Sequence, residues 1–364
     1  MSSQVRRSGP SSGSARGPAR LRFCHLPTPL VHDEKLSSLL GVELWLKRDD
    51  CTGGAEAGNK VRKLEFLLAE ALAAGATHVI TCGGIQSNHA RATAILAARL
   101  GLGCTLLLRT QGPASGPERD ADAATLPRTG NVLLDRLVGA HIRTITPEQY
   151  ARRTACMLQV SGELASAGQR AYVIPEGGSN GLGAFGYVEA MREVREQMDL
   201  GLAGGGPFDA VVHACGSGGT AAGVALGCGV HGVAKRVHAV AVCDDAAYFE
   251  HVVASILDEA SGIAGVGAPA ALVVDDREKG PRYGVMSDEQ RALLVEIGRL
   301  GVVLDPVYTG KAMCGLRAAV LRGDIARGAR VLFLHTGGLP GLLAEGDALW
   351  PSLDAAAAST ETPS

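Results

Sequence analysis

Three basic residues crowd the start of a helix in the segment GNKVRKLEF, residues 58–66. Val61, Leu64 and Leu68 recur at helical spacing, so the pattern predicts a helix that begins near Lys60. A helix N-terminus is partly positive, and a cation there costs about 0.3–1 kcal/mol. The pKa of Lys60 should therefore be lowered, and a partly neutral amine is a nucleophile toward aldehydes and a proton carrier. The alternative is an exposed turn with surface side chains.

The segment ACGSGGTAAG, residues 214–223, is typical of an anion-binding turn. It follows an apolar run and opens an Ala-rich helix, and its glycines let the backbone approach a ligand closely. Free N–H groups at such a helix start bind phosphate. The residues predicted to do so are Gly216, Ser217, Gly218, Gly219 and Thr220.

The same segment also fits G-x-G-x-x-A, the fingerprint of dinucleotide-binding oxidoreductases, with Asp244 and Asp245 at a later strand end. That acid lies farther away than the usual spacing of about 20 residues. The oxidoreductase is therefore the alternative from a different class.

The segment CGGIQSNHAR, residues 82–91, repeats the arrangement of strand, turn and helix. Ser87 is placed as the N-cap of a helix that begins at Asn88. The N–H groups of Asn88 and His89 would face an incoming carboxylate. The alternative is an ordinary capped helix.

Two later segments carry polar side chains at strand ends. LDPVYTGKA (304–312) places Tyr308 and Thr309 between a strand and a helix, and FLHTGG (333–338) places Thr336 at the tip of an apolar strand. Neither segment indicates a function by itself. Lys60, together with the phosphate site and the carboxylate site, indicates a pyridoxal phosphate enzyme. Lys60 would form the Schiff base, and Lys63, one helical turn on, would help to neutralise the phosphate.

Short apolar runs alternate with helical stretches, which is typical of parallel sheets buried on both faces. The chain is therefore predicted to be an α/β protein, and ligands bind at the carboxyl ends of the strands in such folds. The predicted strands are 78–82, 104–108, 171–175, 210–215, 236–243 and 330–336. The predicted helices are 60–74, 88–100, 181–199, 219–229, 287–300 and 310–322.

The composition limits the partners and the compartment. A formal net charge of −2 over 364 residues gives no electrostatic footprint for nucleic acid or an anionic membrane. Nine Cys without a C-x-x-C pair argue against disulfides and a metal site, so a reducing compartment is expected. No apolar run approaches the roughly 18 residues of a membrane span, so we expect a soluble, cytoplasmic protein. Residues 1–20 and 351–364 are predicted to be disordered tails, and the basic N-terminal tail leaves organellar targeting as the alternative.

The ordered segments resemble the D-cysteine desulfhydrase and 1-aminocyclopropane-1-carboxylate deaminase family of fold type II pyridoxal phosphate enzymes. The similarity is carried by LKRDDCTGG, GNKVRKLEFL, GGIQSNHARATA, IPEGGSNGLGAFGYVEA, ACGSGGTAAG, LDPVYTGKA and LFLHTGG. It implies two open, twisted, mostly parallel sheets, with the cofactor in the cleft between a large domain (21–57 and 172–350) and a small domain (58–171). It also implies a homodimer and a small amino-acid substrate.

The resemblance assigns roles to individual positions. Lys60 matches the Schiff-base lysine, and Asn88 matches the residue that hydrogen-bonds the phenolic oxygen of the cofactor. Ser87 and His89 match the loop that receives the substrate carboxylate. Tyr308 matches a catalytic tyrosine and Tyr283 a tyrosine on the substrate side. Residues 216–220 match the phosphate loop.

Two positions separate the sister activities. Deaminases of this family carry Glu after the catalytic Tyr and Leu before the final Gly-Gly, where this chain has Thr309 and Thr336. The resemblance therefore implies α,β-elimination of D-cysteine to pyruvate, hydrogen sulfide and ammonia. The alternatives are the deaminase and an L-cysteate sulfo-lyase, for which Arg282 is a candidate sulfonate partner. A non-catalytic binding module is a further alternative.

Three residues depart from the family pattern. Ala57 stands where Gly is usual and restricts the backbone. Glu56 is expected to offset the pKa depression of Lys60. Glu176 has no assigned role.

Overall fold

The structure, a computed structural model, describes residues 17–110, 119–120, 126–264 and 267–358. The strands are β1 (Leu30–His32), β2 (Glu43–Arg48), β3 (His78–Gly84), β4 (Gly103–Arg109), β5 (Arg119–Asp120), β6 (His141–Ile145), β7 (Ala171–Val173), β8 (Ala210–Cys215), β9 (Arg236–Ala241), β10 (Ala271–Asp275) and β11 (Arg330–His335). The helices are α1 (Glu34–Leu40), α2 (Asn59–Ala73), α3 (Asn88–Arg99), α4 (Gly130–Leu137), α5 (Pro147–Ala151), α6 (Arg153–Ser166), α7 (Gly181–Asp199), α8 (Gly219–His231), α9 (Ala246–Ile263), α10 (Asp288–Arg299), α11 (Thr309–Arg322), α12 (Leu339–Leu343) and α13 (Gly346–Ala358).

The strands form two sheets, which confirms the predicted fold class. One sheet has the order β1-β2-β11-β8-β9-β10 and the other β5-β6-β4-β3-β7. Only the terminal strands β1 and β5 pair antiparallel, and the other described strands are parallel. Every residue of β3 and β8 is buried, because helices cover both faces. The division into domains at residues 57/58 and 171/172 stays a prediction.

Glycines bring three helices of the core into backbone contact. A Cβ added to Gly186 of α7 would lie 2.6 Å from the Arg62 carbonyl oxygen of α2. A Cβ added to Gly223 of α8 would lie 2.3 Å from the Ala184 carbonyl oxygen of α7. No side chain fits at either point, so only glycine lets helices α2, α7 and α8 pack with their backbones in contact. This packing fixes where the N-termini of α2 and α8 lie.

The six predicted strands and six predicted helices all form, with ends shifted by at most two residues. The prediction for the C-terminal tail was wrong for residues 351–358, which continue helix α13 because their run of alanines favours a helix. Residues 17–20 are described, and Arg20 pairs with Glu189. The rest of the predicted tails, residues 1–16 and 359–364, lies outside the described residues.

In the described part of the chain, no helix has the length and apolar composition needed to cross a membrane. Over the same residues, no cluster of His, Cys, Asp and Glu could hold a metal ion.

Candidate active site

Two connected spaces lie at the carboxyl ends of the strands. The inner cavity is lined by residues that include Lys60, Asn88, Ser217, Thr220, Tyr308 and Thr336. A wider cleft opens from it and shares Lys60, Ser217 and Tyr308 with the inner cavity. The segments that the sequence singled out are thus brought to one place.

Lys60 stands in the first turn of α2 because the preceding residues are fixed to the end of β11. The backbone N–H of Asn59 donates to the Thr336 carbonyl at 3.1 Å. Gly58 is left-handed (φ 126°), and an added Cβ would lie 2.9 Å from the same oxygen. Burial lowers the pKa of Lys60 to about 8, and Glu176 partly offsets this. The predicted direction is therefore right, but its main cause is burial and not the neighbouring cations.

Arg62 serves the fold and points away from the cavity. Its guanidinium pairs with Asp49 at 2.7 Å and with Glu193 at 3.0 Å, and Lys47 pairs with Glu193 at 2.5 Å. All four side chains are buried, so each charge depends on the others. One of the three basic residues at this helix end is thus explained by an ion-pair network between β2, α2 and α7.

Lys63 lies behind the phosphate loop and does not line the inner cavity. Its ammonium donates to the Gly177 carbonyl at 2.7 Å and to Ser179 Oγ at 3.0 Å. Ser179 Oγ in turn accepts from the Gly219 N–H at 3.2 Å and lies 2.8 Å from Ser217 Oγ. Burial and the nearby Lys60 lower the pKa of Lys63 well below its usual value. Lys63 therefore reaches the loop through Ser179.

The loop before α8 fits a phosphate. Gly218 is left-handed (φ 81°), and a Cβ at Gly219 would lie 2.8 Å from the Lys63 ammonium. The N–H groups of Thr220 and Ala221 have no partner within the helix, and both residues line the inner cavity together with Gly216. Gly219, which the sequence also assigned to the phosphate, does not line this cavity, because its N–H donates to Ser179 Oγ. Thr220 Oγ1 accepts from the Asn59 amide at 3.1 Å, so the loop is tied to the turn that carries Lys60.

The N-terminus of α3 supplies polar groups to both the inner cavity and the cleft. Ser87 is the N-cap, as predicted, and its Oγ accepts from the Ala90 N–H at 3.2 Å. Asn88 Oδ1 accepts from Asn131 of α4 at 3.2 Å, which leaves the amide NH₂ of Asn88 as the donor available to the inner cavity. Asn131 thus orients Asn88, the residue that the family resemblance assigns to the phenolic oxygen of the cofactor.

His89 lines the cleft as a neutral imidazole. Its Nε2 lies 2.8 Å from Thr81 Oγ1, whose proton goes to the Ile174 carbonyl, so the Nε2 nitrogen carries the imidazole proton. Burial and the nearby Lys60 and Lys63 lower the pKa of His89 well below its usual value. The side chain therefore offers no charge to a carboxylate, and only the backbone N–H remains for that role.

Two tyrosines line the cleft, and one of them, Tyr308, also lines the inner cavity. The hydroxyl groups of Tyr283 and Tyr308 are 2.7 Å apart, and their rings meet at 73°. Burial raises the pKa of Tyr308 well above its usual value, and burial raises that of Tyr283 to about 12. Tyr308 also lies against the phosphate loop, where a Cβ at Gly216 would be 3.0 Å from its ring. Tyr308 is thus a protonated phenol that faces both the inner cavity and the cleft.

The two threonines of the sequence prediction separate in the structure. Thr336 lines the inner cavity. Thr309 is fully buried, and its hydroxyl donates to Asp305 Oδ1 at 2.7 Å. It lines neither space, because Asp305 also accepts from the backbone N–H groups of residues 307–309 and uses Thr309 to begin α11. The predicted contact between Thr309 and the substrate is not formed.

Lys311 of α11 holds the segment that carries Tyr283. The lysine is fully buried, and its ammonium donates to the Lys279 carbonyl at 2.6 Å, the Arg282 carbonyl at 3.0 Å and the Val242 carbonyl at 3.4 Å. One side chain therefore ties the backbone before Tyr283 to the helix that begins after Tyr308.

We expect Lys311→Met to raise the KM for the amino-acid substrate about tenfold and to leave the absorbance of the bound cofactor unchanged. Three carbonyls lose a charged donor, which costs on the order of 1.5–3 kcal/mol per bond, and the Tyr283 segment loosens. Steady-state kinetics with the purified variant measure the effect. Lys279→Met, on the partly exposed side chain of the same segment, is the control and should change KM little. An unchanged KM in Lys311→Met would contradict this role.

The three departures from the family pattern have different explanations. Glu56 pairs with Arg99 at 2.8 Å and is not among the groups that shift the pKa of Lys60, so the expectation for Glu56 was wrong. Glu176 is the acid that acts on Lys60. Ala57 does not have a left-handed backbone, so it meets no strain there.

Several residues of the site gave no signal in the sequence. Glu176 accepts a hydrogen bond from the Tyr150 hydroxyl and pairs with Arg153 at 2.8 Å, and all three line the cleft. Ser179 lies in the polar segment PEGGSNG, which was noted without a role. Asn131 gave no local signal, because it acts on the site only through its hydrogen bond to Asn88, 43 residues earlier. Cys215 and Gly337 line the inner cavity and are the sequence neighbours of the predicted Gly216 and Thr336.

The chain is similar to several known proteins. Residues 21–337 match the model of the family described as pyridoxal-phosphate dependent enzyme. The chain is 44% identical over 330 residues to the Arabidopsis thaliana protein named bifunctional D-cysteine desulfhydrase/1-aminocyclopropane-1-carboxylate deaminase, mitochondrial, covering 88% of this chain and 78% of that protein. A crystal structure described as an ACC deaminase homologue matches with a TM-score of 0.80 and 33% identity, covering 93% of this chain and 97% of that chain. The family match spans every residue that lines the inner cavity.

Proposed function

Since the chain belongs to the pyridoxal-phosphate-dependent enzyme family and its cofactor is pyridoxal phosphate, we propose that it is a carbon–sulfur lyase acting on D-cysteine. The reaction is α,β-elimination, in which D-cysteine and water give pyruvate, hydrogen sulfide and ammonia. The D configuration rests on the name of the Arabidopsis relative and on the sequence resemblance.

One observation carries the choice of reaction. No Asp or Glu is among the described residues that line the inner cavity, and Thr336 stands at the end of β11 in that lining. A carboxylate beside the ring nitrogen of the cofactor would keep it protonated, which opening a cyclopropane requires. A hydroxyl such as that of Thr336 can only donate to an unprotonated nitrogen. The weaker electron withdrawal suffices when a thiolate leaves the β-carbon.

The residues that would hold the cofactor are those of the inner cavity. The N-terminus of α8 with Ser217 and Thr220 would bind the phosphate, and Asn88 would donate to the phenolic oxygen. Thr336 would face the ring nitrogen. The bound cofactor withdraws electrons from the α-carbon of the amino acid, which makes the α-proton acidic.

The chain then supplies binding and proton transfer. The N–H groups at the start of α3, with Ser87, receive the α-carboxylate. Lys60, whose pKa of about 8 leaves part of the amine neutral at physiological pH, removes the α-proton. Tyr308 holds its proton because of its raised pKa and gives it to the departing sulfur.

The first experiment is a visible spectrum of the purified protein, before and after D-cysteine, with sulfide and pyruvate assayed in the same cuvette. We expect a yellow protein whose absorbance changes on addition, with both products released in equal amounts. A yellow protein that releases ammonia and 2-oxobutanoate from 1-aminocyclopropane-1-carboxylate, and no sulfide from D-cysteine, would overturn the proposal in favour of the deaminase.

We also keep the homodimer and the cytoplasm as proposals. The dimer is supported by large apolar side chains that α4, α12 and α13 expose, namely Leu133, Leu137, Leu339, Leu343 and Trp350. Such side chains near one another are typical of protein interfaces. Light scattering on the eluting protein measures the mass, and a monomer at micromolar concentration would contradict the dimer.

A further inference from the structure

Arg109 lines the cleft and has no role in the chemistry described so far. It is the last residue of β4 and pairs in register with Gly84, the last residue of β3. The turn that follows Gly84 leads to Ser87. Its guanidinium carbon is 4.7 Å from the centre of the Tyr150 ring and 5.4 Å from that of Tyr283. Two rings thus hold the cation in place at the substrate edge of the sheet.

No carboxylate among the described residues forms an ion pair with Arg109. Two acids line the cleft, Glu176 and Asp244, and Glu176 is already engaged by Arg153 at 2.8 Å and by the Tyr150 hydroxyl. The charge of Arg153 is therefore compensated within the wall, whereas no carboxylate that the structure describes pairs with Arg109. A planar fork of N–H donors held between two rings is suited to bind an anion of the ligand.

The position of Arg109 relative to Lys60 and the start of α3 indicates which part of the substrate it contacts. Lys60 must reach the α-carbon, and the start of α3 receives the α-carboxylate. Another part of the cleft lining is the tyrosine pair, where Tyr283 contacts both Tyr308 (2.7 Å between hydroxyl groups) and the guanidinium of Arg109. A substituent on the β-carbon that extends along these tyrosines would meet Arg109.

We propose that Arg109 is a specificity-determining residue that binds a negatively charged sulfur group on the β-carbon of the amino acid. The charge is that of a thiolate in cysteine or of a sulfonate in cysteate. This inference rests on the proposed elimination and narrows its substrate class. In either case Lys60 takes the α-proton and the Cβ–S bond breaks with its electron pair on sulfur. Tyr308 gives its proton to the cysteine sulfur, which leaves as hydrosulfide, whereas sulfite leaves cysteate without a proton. Cysteate and water would thus give pyruvate, hydrogen sulfite and ammonium.

The kinetic test compares Arg109→Met with Arg282→Met, the exposed arginine of the same cleft that the sequence analysis named as a candidate sulfonate partner. The substrates are cysteine, cysteate and 3-chloroalanine, whose β-substituent is neutral, and pyruvate is assayed for each. For Arg109→Met we expect kcat/KM to fall roughly 10- to 100-fold on cysteine or cysteate, whichever the wild type accepts, the loss typical of one charge-assisted contact. On 3-chloroalanine it should fall less than about threefold, and Arg282→Met should change little. An equal loss on all substrates, or a loss only in Arg282→Met, overturns the proposal.

A binding test stands apart from turnover. The cofactor-loaded protein is titrated calorimetrically with 3-sulfopropanoate and with propanoate, neither of which can react. We expect the sulfonate to bind the wild type at least about tenfold more tightly, and Arg109→Met to lose that advantage. Equal affinities in the wild type overturn the inference. If no substrate yields pyruvate, the proposed elimination fails, and this titration still decides the role of Arg109. The ratio of kcat/KM for cysteine and cysteate in the wild type tells which sulfur group the residue serves.

Discussion

Lys60→Ala is expected to lower pyruvate release from D-cysteine by more than about 10³-fold and to abolish the visible absorbance of the bound cofactor. The side chain is the amine that the inner cavity presents at its junction with the cleft, and burial lowers its pKa to about 8. Loss of a general base alone costs about 10²–10⁴-fold in rate. The measurement is a turnover assay with an absorbance spectrum of the same preparation.

Two further experiments distinguish the role of the Lys60 amine as a base from the effect of its positive charge. Lys60→Arg keeps a cation but cannot give up a proton near neutral pH, so it should be as inactive as the Ala variant. A small amine such as ethylamine, added to Lys60→Ala, should restore part of the activity because it can enter the space left by the side chain. Activity within tenfold of the wild type in either variant would contradict the proposed role of Lys60.

Tyr308→Phe is expected to lower kcat on D-cysteine about 10²-fold while the cofactor stays bound. The phenol is the protonated group that faces both the inner cavity and the cleft, and its raised pKa makes it a donor and not a base. Rapid-quench measurement of sulfide release determines the change. A spectrum unlike that of the wild type would show instead that Tyr308 holds the cofactor.

The leaving group gives a sharper form of this prediction. Chloride leaves 3-chloroalanine without a proton, so Tyr308→Phe should lose less than about threefold on that substrate. Sulfite likewise needs no proton to leave cysteate, which distinguishes Tyr308 from Arg109. Tyr283→Phe is the matched control, because it removes the hydroxyl 2.7 Å away and leaves the Tyr308 phenol in place. Equal losses for cysteine and 3-chloroalanine would exclude Tyr308 as the proton donor.

Local pattern was enough to predict much of the fold and the turns of the site. The helices α2, α3 and α8 begin within a residue of their predicted starts, because the capping residue or glycine that begins each is adjacent in sequence. Thr336 and Ser87 reach the predicted spaces for the same reason, since a strand end and a helix start fix them.

The errors concern side chains whose partners are remote in sequence. Arg62 was grouped with Lys60, but its partner Glu193 lies 131 residues away on α7. Thr309, which was assigned to the substrate, is the exception: its partner Asp305 is only four residues earlier, and the Asp305 carboxylate accepts from the Thr309 hydroxyl inside the turn. Glu56 pairs with Arg99 of α3 and does not act on Lys60. The acid that partly offsets the lowered pKa of Lys60 is Glu176. Such pairings depend on which helices meet, and no spacing in the sequence encodes them.

The glycine contacts between α2, α7 and α8 bear on how this protein can evolve. A methyl group at Gly186 or Gly223 would collide with a carbonyl oxygen of the next helix, so these positions are closed to all other side chains. The residues that we propose to select among substrates, by contrast, lie at strand ends and in the turns that line the cleft. New substrate ranges can therefore arise by exchanging a few residues that line the cleft, while the packing of α2, α7 and α8 is inherited unchanged. Mutant libraries that vary the cleft residues and keep Gly186 and Gly223 should retain the largest share of folded members.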